Sequence, residues 1–185
     1  MRDMMNISKK QEKLKIKIAE SFIEIAKTKQ LSKISITEIM ASLSMSRQKF
    51  YYYFQDINDL ITWVNDYNLS KPFNEFYDDK DLYNSYVKSL TYIQKNKRFY
   101  RHILSPEGYG PFEDAFYNKM LEASIKHIGA KRLNDELKFS LRLYLKGVTA
   151  LIAEWLRNNA NTSPEVLADY FCKALPRNLN QFYDV

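Results

Sequence analysis

The sequence predicts an all-α protein, and three observations carry that reading. Glycine and proline are scarce, 4 and 5 among 185 residues, so few turns interrupt the chain. Apolar residues recur at helical spacing through long segments. Helix-start signals stand ahead of several of them, the clearest being Ser35-x-x-Glu38 and Thr162-Ser163-Pro164-Glu165. Hydrophobic residues make up 45% of the chain, enough to bury a core, which argues against disorder.

Taken in order, the first helix is predicted from about Ser8 to Lys29, with Leu14, Ile18, Phe22, Ile25 and Ala26 on one face. Gln30–Ile34 is a short connection. Ser35 caps a second helix, Glu38 completes a capping box, and Ile36, Ile39, Met40 and Leu43 form its apolar stripe. Ser44-Met45 makes a break. Ser46 is the next N-cap candidate, for a third helix reaching about Phe54. Two short helices joined by a tight turn on a longer first helix form a helix-turn-helix. Asp56 caps a helix carrying Leu60, Ile61, Val64 and Tyr67, and Pro72 breaks the pattern over Lys71–Lys80. Five more helices follow at Asp81–Lys95, Lys97–Leu104, Phe112–Ile128, Asn134–Asn158 and Pro164–Leu175, with a loop at Ser105–Pro111. The expected domains are a head over residues 1–56 and a helical body over 57–185.

Charge separates these two parts. Residues 1–54 hold 11 Lys/Arg against 5 Asp/Glu, whereas residues 55–185 hold 17 of each. The whole excess of +6 therefore sits in the head, as in a module that meets a polyanion. The lysines at 9, 10, 13, 15 and 17 read equally well as a solvated face of the first helix or as one turned to phosphates. Met1–Ser8 is polar with no apolar run after it, and Val148–Leu156 is too short to span a bilayer, so a soluble cytoplasmic protein is expected. The single Cys172 excludes an internal disulfide.

The third helix carries the functional signal. At about 100° per residue, Phe50 and Phe54 share the inward face, toward Ile36, Ile39, Leu43 and Phe22. Arg47 and Tyr51 share another face, Gln48 and Tyr52 the next, and Lys49 and Tyr53 the one beyond. The three tyrosines thus extend an exposed surface that begins with Arg47, Gln48 and Lys49. Burying three consecutive tyrosines would instead demand three buried hydroxyl partners. Arginine can hold the O6/N7 edge of guanine and glutamine an adenine, while lysine and tyrosine hydroxyls suit phosphate oxygens.

The run ISITEIMASLSMSRQKFYYYFQDINDL, Ile34–Leu60, resembles the helix-turn-helix of the TetR family of bacterial transcriptional regulators. Helix 1 extends the resemblance to about residues 10–68. It implies an all-α homodimer with a DNA-binding head and a regulatory body. By position it assigns groove contacts to Arg47, Gln48, Lys49 and Tyr52, and phosphate contacts to Thr37, Tyr51 and Tyr53. With Ser35 and Ser46 at the starts of the two helices, these make up the candidate double-stranded-DNA surface. Three positions depart from the family pattern: Ser44 replaces a turn glycine, Tyr53 a frequent histidine, and Ile57 a phosphate-touching lysine.

The body resembles the family through LKGVTALIAEWLRNN and TSPEVLADYF, similar to its last two helices, which pair between subunits. The candidate dimer residues are Leu145, Val148, Ile152, Trp155, Leu167 and Phe171; the same helices can also pack within one chain. FYRHIL and PFEDAFYNKML are similar to the subgroup of dihydroxyacetone-kinase-operon regulators, some of which activate. The resemblance also implies a small-molecule effector or protein co-regulator at the body. Tyr86, Phe99, His102, Phe116, Tyr117 and Trp155 are either its lining or plain core.

Other chemistry has little support. There is no glycine-rich phosphate loop, HExxH or nucleophile elbow, so neither an enzyme nor a bound cofactor is expected. His102, His127 and Cys172 lack metal-ligand spacing. Asp78, Asp79 and Asp81 read as a solvated run. A different class, a membrane-surface or adaptor protein using basic helix 1, accounts for the lysines but not for the capping box, turn and third helix.

Overall fold

Helix α1 (Arg2–Ala26) starts six residues before the predicted Ser8, because no proline or glycine stops it there, and ends three residues before Lys29. The computed structural model describes residues 2–64, 66–67, 81–104 and 112–184. Side chains are described over 11–64, 66–67, 81–101, 104 and 113–184. The expected breaks at 71–80 and 105–111, and the side chains of Lys9, Lys10 and His102, lie outside these residues. Two compact units emerge, Met1–Asn65 and Asp66–Val185.

In the first unit α1 buries Ile18, Phe22 and Ala26, one turn apart, with Ala19 and Ile23 beside them. Helix α2 (Ile36–Ser42) packs between α1 and α3 (Arg47–Phe50). The Ser35 hydroxyl accepts the Glu38 N–H at 3.2 Å, as the capping box requires. The Glu38 carboxylate accepts from the Lys29 ammonium at 2.6 Å, tying α2 to the chain leaving α1. The Ser21 and Ser42 hydroxyls meet at 2.6 Å, and Ser21 also donates to the Ile39 carbonyl at 3.2 Å.

The turn between α2 and α3 forms without a glycine by placing Ser44 in the left-handed region, φ 54°. The Ser44 N–H reaches the Ala41 carbonyl, and the Met45 N–H reaches back to Met40 at 2.9 Å. This pair of bonds is a Schellman motif, which satisfies the last carbonyls of α2. Beyond α3 the chain continues as a hydrogen-bonded turn, with Phe54 N–H on the Phe50 carbonyl at 3.1 Å. The regular helix is therefore shorter than predicted, but its phase persists. Helix α4 (57–64) is capped by Asp56, whose carboxylate accepts from the N–H groups of Asn58 and Asp59. It buries Leu60, Ile61 and Val64.

The second unit contains α5 (Leu82–Lys95), α6 (Lys97–Ile103), α7 (Phe112–Ile128), α8 (Asp135–Arg157) and α9 (Pro164–Lys173). Helix α5 packs on α9, α7 on α8, and a 3-10 segment, Arg177–Phe182, also covers α8. Asp81, Asn134 and Ser163 cap α5, α8 and α9 through side-chain oxygens, and of these the Ser163 cap is the one its Ser-Pro sequence predicts. At the end of α8, Asn159 and Ala160 are both left-handed. That conformation costs alanine about 1–2 kcal/mol. The Ala160 N–H bonds the Trp155 carbonyl at 2.8 Å, and the Ala160 carbonyl accepts from Gln94 at 2.9 Å, holding it there. Trp155 Nε1 donates to the Thr162 carbonyl at 2.9 Å, closing the link to α9.

Candidate nucleic-acid interface

The head divides its aromatic run by helical phase. Phe50 is fully buried, with Phe54 beside it at 5.4 Å between ring centroids. Tyr51 and Tyr52 are exposed, by 49% and 85%. Tyr53 is only half-buried, unlike the outward position expected of it. It lies about 60° from Phe50 around the helix axis, so its ring borders the core. Arg47, Gln48, Lys49, Ser35 and Thr37 are all exposed, as is Ser46. Ser46 occupies the N-cap position of α3 in extended backbone, but its side chain makes no capping hydrogen bond.

Arg47 and Tyr51 share a face and touch. Arg47 Nη2 donates to the Tyr51 hydroxyl at 3.1 Å, and its guanidinium carbon lies 5.9 Å from the Tyr51 ring centroid. The Tyr51 ring in turn meets Phe50 edge-on, 5.6 Å between centroids and 86° between planes. A fully buried ring thereby anchors a chain of contacts ending at an exposed cation.

Lys15 behaves differently from its neighbours. Lys13 and Lys17 are exposed, whereas Lys15 is half-buried with its ammonium over the rings of Phe54 and Trp63. No local signal predicted this, because the rings lie far along the chain. Ile57, where the family pattern has a lysine, is half-buried.

The body places the expected dimer residues mostly inside itself. Leu145, Val148, Ile152, Trp155 and Phe171 are buried within the chain, and Leu167 is half-buried. Their stripe faces α8's own neighbours. The opposite phase is exposed and apolar: Leu151 at 51% and Tyr170 at 59%, with Leu143, Val166 and Phe139 also open. A groove of about 460 Å³ between α8 and α9 is lined by Leu151, Trp155, Leu167 and Tyr170 among others. Gly147 lies on the same exposed side, with nothing near where a Cβ would point.

Of the candidate effector residues, Tyr86 lines a small pocket of about 20 Å³, close to the space one water needs. Tyr144 and Tyr183 line it too. The Tyr86 hydroxyl donates to that of Tyr144 at 3.1 Å, which donates to the Phe171 carbonyl at 2.8 Å. Burial raises both phenol pKa values, so these hydroxyls stay protonated. Phe99, Phe116 and Tyr117 are core, and Trp155 borders the outer groove. His127 has Nε2 2.6 Å from the Phe182 carbonyl and stacks on Tyr183. Burial pushes the Cys172 thiol up to about 11. Among the described residues no group of three or more His, Cys, Asp or Glu could hold a metal ion. Among the same residues no helix is long and apolar enough to cross a membrane.

Two short helices joined by a tight turn thus lie in the first unit, and the second unit is a helical body of its own. The family model for the transcriptional regulator C-terminal region of TetR type (TetR_C_8) matches residues 80–177, more than half of the chain. The chain belongs to the TetR family of transcriptional regulators, which are not enzymes. It is 29% identical over 86 residues to the HTH-type dhaKLM operon transcriptional activator DhaS of Lactococcus lactis subsp. lactis (strain IL1403). That match covers 46% of each protein, so the chain spans about half the length of this curated relative. Among solved structures it is similar to the dihydroxyacetone kinase operon activator DhaS, with a TM-score of 0.75 and 24% identity. The likeness covers 92% of this chain and 98% of that one, and it concerns the fold.

Proposed function

We propose that the protein binds double-stranded DNA sequence-specifically, as a homodimer on a palindromic operator. The supporting observation is the exposed Arg47-Gln48-Lys49 tip, continued by Tyr51 and Tyr52 above the buried Phe50. Arg47, Gln48, Lys49 and Tyr52 enter the major groove, while Ser35, Thr37, Ser46 and Tyr53 approach the flanking backbone and Tyr51 stays beside Arg47. A second subunit packs against the exposed side of α8 and α9, through Leu151, Val166 and Tyr170, placing two heads on successive major grooves. An effector or protein co-regulator acts at the body. Similarity to an operon activator supports activation of transcription as a readout alongside repression, and membership of the dihydroxyacetone-kinase-operon subgroup is part of this reading.

Binding to duplex DNA, titrated against salt, tests this function. The expected result is an affinity that falls linearly on a log–log plot as salt rises. Flotation with anionic vesicles in the absence of any duplex binding would sink it in favour of a membrane-surface role.

A further inference from the structure

We infer that Tyr51 is a positioning residue for Arg47, acting on DNA sequence preference through that arginine and not through a phosphate contact of its own. This rests on the DNA-reading assignment above and sharpens one part of it. Arginine has a long side chain with several rotatable bonds, and reading a guanine edge requires its fork in one plane. An unrestrained arginine loses that freedom on binding. Here the freedom is already reduced. One guanidinium nitrogen donates to the Tyr51 hydroxyl at 3.1 Å, and the guanidinium carbon lies 5.9 Å from the ring centroid. The ring itself is steadied by its edge-on contact with Phe50, which has no exposed surface. The hydroxyl is an acceptor in this contact, and its oxygen lies toward Arg47 on their shared face. The remaining guanidinium N–H groups are left to meet a base.

The test is a double-mutant cycle on an operator selected from random DNA, using Tyr51→Phe, Arg47→Ala and the double variant. Tyr51→Phe keeps the ring and its contact with Phe50, and circular dichroism checks that it folds. In the wild-type background it is expected to weaken operator binding roughly three- to tenfold. It should also lower discrimination at the same base pair where Arg47→Ala loses it. In the Arg47→Ala background it should change affinity by less than about 1.5-fold, since its target is gone. Equal losses in both backgrounds would overturn the inference and make Tyr51 an independent phosphate contact. No loss in the wild-type background would overturn it as well. A wild-type protein that selects no sequence is a separate outcome: it refutes the DNA-reading assignment, and this inference with it.

Discussion

The ammonium of Lys15 on α1 lies 5.3 Å from the ring centroid of Phe54, which closes the aromatic run, and 5.8 Å from that of Trp63 on α4. A lysine in the most basic stretch of the chain thus joins three helical segments of the head. Replacing it with alanine should lower the stability of the head by about 1 kcal/mol, through the lost cation–π attraction and stem packing. Thermal unfolding measures that loss. The salt dependence of DNA binding should stay unchanged, because this charge faces rings rather than phosphates. A shallower salt slope in Lys15→Ala would show the opposite.

Ser44 sits at φ 54°, where a side chain is unfavourable and glycine is not. Ser44→Gly should stabilise the head by about 0.5 kcal/mol, the relief of strain exceeding the entropy that glycine adds to the unfolded chain. Ser44→Val should destabilise it by about 1–2 kcal/mol. Denaturant titration of the two variants gives both values. Equal stability of the valine and glycine variants would contradict the turn geometry.

Lys29 holds the Glu38 carboxyl below its usual range, first by their hydrogen bond, with the Lys29 charge and the Ser35 N–H adding to it. A depressed folded-state pKa gives stability that is present above the unfolded value and lost as pH falls through the folded one. Stability of the head should therefore drop as pH is lowered below the ordinary carboxylate value of 4.5, and Glu38→Gln should lessen that drop. Melting temperatures from neutral pH into this acid range test it. The same profile in both proteins would remove Glu38 as the cause. Independently, Ser35→Ala should cost about 1 kcal/mol at neutral pH by removing the α2 cap.

Leu151 and Ile152 are adjacent in sequence but opposite in setting, one half exposed and the other buried. Leu151→Asp should yield a folded monomer, seen by analytical ultracentrifugation, that has lost the advantage of binding two half-sites together. Ile152→Ala should instead unfold more easily, by about 2–5 kcal/mol, from the cavity it leaves. A Leu151→Asp protein that stays dimeric would move the subunit contact away from this face.

Much of this organisation is legible in the sequence, where the governing physics is local. Caps are written within a few residues, so Asp81, Asn134 and Ser163 place the starts of α5, α8 and α9 to within a residue. Helical phase alone separates Phe50 and Phe54 from Tyr51 and Tyr52, and puts Arg47 beside Tyr51. What stays hidden depends on distance or context. The partners of Lys15 lie tens of residues away. A left-handed serine carries no mark in its residue type. The stripe through Leu145, Val148 and Ile152 suits either a partner or the chain's own core, and only burial assigns it to the core. The 3-10 segment Arg177–Phe182 has no strong periodicity and went unpredicted.

The central claim is that the Arg47-Gln48-Lys49 tip of a dimer reads DNA sequence. Selection of bound sites from random duplex DNA at fixed salt, run in parallel with wild type and Arg47→Ala, tests it most directly. Wild type should enrich an inverted repeat with half-sites about one helical turn apart. Arg47→Ala should lose preference at one base pair in each half-site and bind the wild-type site more weakly by about 1–3 kcal/mol. Lys49→Ala, on the same site, should reduce the salt slope by about 1. Enrichment of no inverted repeat by wild type, or the same motif and affinity from Arg47→Ala, would contradict the claim.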